Sequence, residues 1–121
     1  MPQYGVLVYS PAPADPMALT PEYLELLDRY PAEAKELRGK VLGGSYFSGQ
    51  RGFAFDASTT GMAISGEAVR SGPLVESNLV ATAFFVLQAP NLDVAVDIAK
   101  LHPAARDGGV EVRPMFVPPA K

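Results

Sequence analysis

The sequence predicts an α+β fold. Three observations carry this: strand-length apolar alternation near both ends and in the middle of the chain, two stretches with helical apolar spacing behind a capping residue, and a hairpin signal between short β-like runs. At 121 residues, 48% of them apolar and 19% charged, the chain is expected to fold as one globular domain over 1–121.

The first strand is expected over residues 3–10. Tyr4, Val6 and Val8 fall on one face and Gly5, Leu7 and Tyr9 on the other, so both faces are largely apolar. Prolines keep the following PAPADPMAL out of regular structure. Thr20-Pro21 then opens a helix: a hydroxyl caps the free N–H groups, proline takes the position where no N–H is needed, and Glu22 meets the positive end of the dipole. Leu24, Leu27, Ala34 and Leu37 form its apolar stripe. Pro31 predicts a kink near Tyr30 or two abutting helices, and Gly39 a C-terminal stop.

A second strand is expected over 41–47, where Gly43 and Gly44 point to a bulge or a close backbone approach. SGQRGFAFDAS reads as a long connection. Runs over 59–65 and 68–70 flank Gly66-Glu67 as a hairpin. The stretch RSGPLVESNLVATAFF starts in a turn and ends in a strand expected over 82–88, with Phe84 and Val86 on one side and Ala83, Phe85 and Leu87 on the other. Asn91 caps a second helix with the stripe Val94, Ala95, Ile98 and Leu101, which must end before Pro103. Asp107-Gly108-Gly109 turns the chain into a last strand over 110–117.

Two β–helix–β halves with an inserted β-hairpin make a ferredoxin-like architecture: an antiparallel sheet with both helices on one face. The strands over 3–10 and 82–88 are apolar on both faces, yet helices cover only one. The expected partner for the other face is a second copy, giving a homodimer with sheets face to face, a dimeric α+β barrel.

Composition excludes several classes. The net charge is −3, and basic residues nowhere cluster into a footprint for nucleic acid. Without cysteine there is no disulfide framework, thiol nucleophile or Cys zinc site. MPQYGVLVYS lacks the pattern of a signal peptide, and no segment approaches the about 18 apolar residues of a membrane span. A cytoplasmic protein with no membrane and no nucleic-acid partner is the expectation. One histidine without cysteine or a close carboxylate cluster gives no metal spacing, and no glycine-rich phosphate loop or Gly-x-Ser-x-Gly is present, so no cofactor is expected.

The segment over 58–115, STTGMAISGEAVRSGPLVESNLVATAFFVLQAPNLDVAVDIAKLHPAARDGGVEVRPM, resembles the YCII-related family, in its branch named for an Asp-Gly-Pro-Phe motif. HPAARDGGVEVRP is the most specific piece; the first half of the chain fits more loosely. The resemblance implies the dimeric α+β barrel fold, in a family where a few relatives are enzymes of degradation or biosynthesis. Departures matter here. Ser71 stands for the motif's Asp and Leu74 for its Phe, while Gly72 and Pro73 are kept and Glu76 holds the first acidic loop position. Asn78 and Leu79 replace the loop's Lys and second Glu, and Thr82-Ala83 its Gly-Gly, so the loop has lost most of its charge.

His102 is the one side chain that titrates near neutrality when unperturbed, so it is a candidate general acid or base, paired with Asp107 or with Asp56 across the fold. The competing reading is a helix C-terminal residue bonded to nearby backbone. Ser71 is a candidate hydrogen-bond donor on a ligand rim, and the same Ser-Gly-Pro also suits a plain turn. Arg70 and Arg113 offer bidentate geometry to an anion, or surface ion pairs with Glu67 or Glu111 worth little. Tyr46, Phe53 and Phe55 are candidates for an aromatic pocket wall, or for core packing. Together these suggest a small cofactor-independent enzyme acting on an apolar metabolite, aromatic or polyketide-like. The alternatives are a non-catalytic small-molecule-binding or regulatory module, which the discharged loop favours, and a protein-interaction partner.

Overall fold

The structure, a computed structural model, describes residues 1–11, 20–43, 53–54 and 61–119. The elements are β1 (Gln3–Pro11), α1 (Pro21–Glu36), β2 (Lys40–Gly43), β3 (Phe53–Ala54), β4 (Met62–Ser65), β5 (Ala68–Ser71), β6 (Leu79–Gln88), α2 (Leu92–Ala99), α3 (Ala104–Asp107) and β7 (Gly109–Pro114). The fold is α+β. Its main sheet runs β2-β6-β1-β7, β3 also pairs with β6, and β4-β5 stand apart as a two-stranded sheet. All described pairings are antiparallel.

Register sorts the side chains of the central strands. Tyr4, Val6 and Val8 pair with Leu87, Phe85 and Ala83 on one flank and with Pro114, Val112 and Val110 on the other. Strand alternation puts these on one face of the sheet. That face is the core side: Tyr4, Val6, Val8, Ala83, Phe85 and Leu87 are buried together with Tyr30 and Ala34 of α1 and Ala95 and Ile98 of α2. The register of β1 on β6 shifts between Val8 and Tyr9 and passes over Thr82, whose hydroxyl lies 3.3 Å from the Ser10 hydroxyl and donates to the Val8 carbonyl at 3.4 Å.

Helix α1 starts as its sequence dictates. Thr20 is the N-cap, its hydroxyl accepts the Tyr23 N–H at 3.2 Å, and Pro21 opens the helix. The helix then continues through Pro31 rather than dividing there. An internal proline costs about 3 kcal/mol. Leu27, Tyr30 and Ala34 bracket it and are all buried, so packing on the sheet holds the helical path. The Tyr30 hydroxyl donates to the Ile98 carbonyl at 3.0 Å and so ties α1 to α2.

The helix end differs from expectation in an informative way. Gly39 was the expected stop, but Arg38 takes the left-handed conformation, φ 68°. The Gly39 N–H reaches the Ala34 carbonyl at 2.9 Å and the Arg38 N–H the Lys35 carbonyl at 3.0 Å, a Schellman closure. Gly39 is required for space instead. A Cβ there would collide with Ile98 Cδ1 and press on the Gln88 carbonyl at 3.2 Å.

Asn91 caps α2 through a 2.9 Å bond from the Val94 N–H. Ala95 and Ile98 are buried and Val94 is half-buried, but Leu101 is exposed and lies outside the stripe assigned to it. The reason is the break at Ala99, after which the chain turns through His102 into α3 and the helical phase is lost. In β2 the ladder shifts between Val41 and Gly43, so the expected bulge falls on Leu42. The hairpin forms as expected, with Gly66 at φ 61° between Ser65 and Ala68. The last strand stops at Pro114, although the Met115 N–H still bonds the Gln3 carbonyl at 3.0 Å. Among the described residues, no helix is long and apolar enough to cross a membrane.

Candidate functional site

His102 sits in the core. It is 3% exposed, on the turn between α2 and α3. Its ring stacks on Phe85 with centroids 6.0 Å apart and meets Tyr30 edge-on at 5.0 Å. Nδ1 accepts the Ala104 N–H at 3.1 Å, so the backbone at the head of α3 takes the position that Asp107 was expected to fill. Asp107 itself is exposed. Burial pushes the imidazole down to about 4, because a charged ring would lose its water without gaining an anion. At neutral pH the ring is therefore uncharged, and its hydrogen bond serves the α2–α3 turn.

The hairpin residues form a separate group. Ser71 is the cross-strand partner of Met62, and its hydroxyl donates to the Met62 sulfur at 3.8 Å. Arg70 donates to the Leu74 carbonyl at 2.9 Å, fastening the next loop rather than pairing with Glu67. Gly72, at φ 112°, donates its N–H to the Gly61 carbonyl at 2.7 Å and closes the base of the hairpin. The Ser-Gly-Pro turn thus does the backbone work a turn requires. Glu76 is exposed in the loop that leads to β6. Of that loop, Leu74 and Val75 are exposed, whereas Leu79 and Val80 are half-buried as the start of β6, which begins earlier than expected.

Arg113 lies on β7, exposed and in an ion pair with Glu111, two residues back on the same face. It is the register partner of Gly5, on the face opposite Val6 and Phe85. Arg113 and His102 therefore sit on opposite sides of the sheet and cannot share a cleft. Among the described residues, no hydrogen bond, ion pair or ring contact joins His102 to Ser71, Arg70, Glu76 or Arg113. Asp56, Tyr46 and Phe55 lie outside the described residues; of Phe53 the structure gives the backbone pairing with Phe84. No three His, Asp or Glu side chains gather among the described residues.

One surface does collect chemistry: the sheet face turned away from α1 and α2. Leu7 pairs with Phe84 and Glu111, and Gly5 with Val86 and Arg113, which places all six on it. Phe84 is 37% exposed; Leu7 and Val86 are half-buried. Met115 lies over Gly5, its sulfur 3.6 Å from where a Cβ would stand. The face is thus apolar along Leu7, Phe84 and Val86, with the Arg113–Glu111 pair at its β7 edge and Gln3, Gln88 and Lys40 at one end. Its strand residues carried a signal in the sequence, alternation that is apolar on both faces, but none of Leu7, Phe84, Val86 and Met115 was singled out as a site residue. Met115 follows the strand and had no signal of its own. Compared with protein-family models and with curated proteins, the chain matches none.

Proposed function

We propose that this chain is a homodimeric, non-catalytic small-molecule-binding module of ferredoxin-like, dimeric α+β-barrel architecture. Two copies apply their open sheet faces to one another, and an apolar ligand is held between them. The observation that carries this reading is the set of apolar residues Leu7, Phe84, Val86 and Met115 on the sheet face that α1 and α2 do not cover, with the Arg113–Glu111 pair beside them. A two-fold interface must be self-complementary, and a patch that is apolar in the middle and holds its charges at the edges satisfies that. The strand order β2-β6-β1-β7 supports the ferredoxin-like assignment, and the resemblance of 58–115 to the YCII-related family supports the dimer.

Binding is favoured over catalysis because two of the groups expected to move protons, His102 and Ser71, are engaged elsewhere, while Asp56 lies outside the described residues. His102 is uncharged in the core and Ser71 is bonded within the hairpin. Of the polar groups on the face, Glu111 and Arg113 neutralise each other and Gln3 and Gln88 carry no charge. Such a surface selects ligands by shape and apolar area. The reading is tested by thermal shift against a panel of planar aromatic compounds, with the oligomeric mass measured in parallel. A saturable rise in melting temperature is expected from at least one compound, and it should disappear in the Phe84→Lys variant. Unchanged melting with every compound, or an equal shift in the variant, contradicts the proposal.

A further inference from the structure

The β4–β5 hairpin turns its apolar face outward. The pairs Met62–Ser71 and Ile64–Val69 share one face, and Met62, Ile64 and Val69 are 61%, 65% and 60% exposed. Ala63, on the opposite face, is buried. A two-stranded hairpin outside any larger sheet is at best marginally stable in water, and strands normally turn polar residues to solvent. Here the order is reversed. The Arg70 bond to the Leu74 carbonyl and the Gly72 bond to Gly61 hold the hairpin and its following loop together as one arm. The arm therefore also presents Leu74 and Val75, 61% and 76% exposed.

We infer that this arm packs on the open sheet face of a second copy and closes the ligand enclosure of that partner. The inference rests on the dimer proposed above. Size argues for the second copy as occupant. A stable interface takes about 20–30 residues a side. Among the described residues this face supplies its positions on β1, β6 and β7 from the Gln3–Gln88 pair to the Leu7–Phe84 pair, with Tyr9, Lys40, Glu111, Arg113 and Met115, still short of that number. The arm adds a second apolar surface from the same chain, and two-fold symmetry makes each added contact count twice.

The test uses Ile64→Thr/Val69→Thr, which keeps β-branched residues in the hairpin while making its outer face polar. The probe is 8-anilinonaphthalene-1-sulfonate, followed by fluorescence, with sedimentation equilibrium giving the dimer dissociation constant. Both constants should weaken at least tenfold in the double variant. A second measurement uses the absence of native cysteine. Ile64→Cys and Phe84→Cys chains carrying different affinity tags are mixed and oxidised, and a disulfide-linked hetero-pair is expected. If wild type is dimeric but the double variant keeps both constants and no hetero-pair forms, the arm is not at the interface, while the dimer reading stands. If wild type is monomeric, both proposals fall.

Discussion

Acidification should destabilise this protein through a single imidazole. His102 is 3% exposed, flanked by Phe85 and Tyr30, and the one described hydrogen bond of its ring is accepted from the Ala104 N–H, a bond it keeps only while Nδ1 is unprotonated. Folding lowers its pKa from 6.5 to about 4. Between those values the unfolded chain binds a proton that the folded chain refuses, so stability is complete above pH 6.5 and falls as pH drops towards 4. At 1.36 kcal/mol per unit, the full loss is about 3 kcal/mol, of which about 2 kcal/mol is gone by pH 5. Tyr30 adds nothing in this range, since burial raises its phenol further above neutrality. The assay is urea unfolding at pH 7.5, 6 and 5, for wild type and for His102→Asn. Asparagine can accept the Ala104 N–H without titrating. It loses ring contacts at a pH-independent cost of about 1–3 kcal/mol, so the variant should be less stable at pH 7.5 but should lack the additional decline. Carboxylates contribute equally to both proteins and cancel in the difference. Parallel pH profiles for the two would refute the reasoning, as would a folded-state His102 pKa near 6.5 by NMR.

Two further outcomes follow from the backbone. Arg38→Gly should stabilise the protein by about 1 kcal/mol, because Arg38 holds φ 68° at the end of α1, where glycine is free of the Cβ penalty; a thermal melt that falls or does not move would contradict the Schellman assignment. Gly108→Ala should cost several kcal/mol or prevent folding, because the added Cβ would run into the Tyr9 carbonyl group; near-normal stability in a denaturant melt would show that β7 does not enter the sheet as described.

The central strands were legible because alternation reports directly on faces: Tyr4, Val6 and Val8 share the core with Ala83, Phe85 and Leu87. Thr20-Pro21 and Asn91 were legible because capping is local chemistry that no distant contact has to complete. Of the two outcomes that Pro31 suggested, the division into two helices does not occur, because burial of Leu27, Tyr30 and Ala34 outweighs a local cost that sequence displays without its compensation. Gly39 pointed to the right place for the wrong reason, since its crowding comes from Ile98, far away in the chain. Of the site, the two-faced sheet could be read, whereas the separation of His102 from Arg113 could not. That separation depends on the turn after Ala99, which carries His102 into the core, and on β7 register, which puts Arg113 on the other side. The hairpin's inverted polarity was written in MAIS and AVRS, but it acquires meaning only once those strands are seen to stand outside the main sheet.

The account rests on the open sheet face being a contact between copies, and sedimentation equilibrium at micromolar concentration tests it most directly. Wild type should sediment at twice the 12.8 kDa chain mass, and Phe84→Lys, with a charge set into the face, at the single-chain mass with its fold intact by circular dichroism. A wild-type protein at 12.8 kDa, or a Phe84→Lys variant that remains fully dimeric, would contradict it.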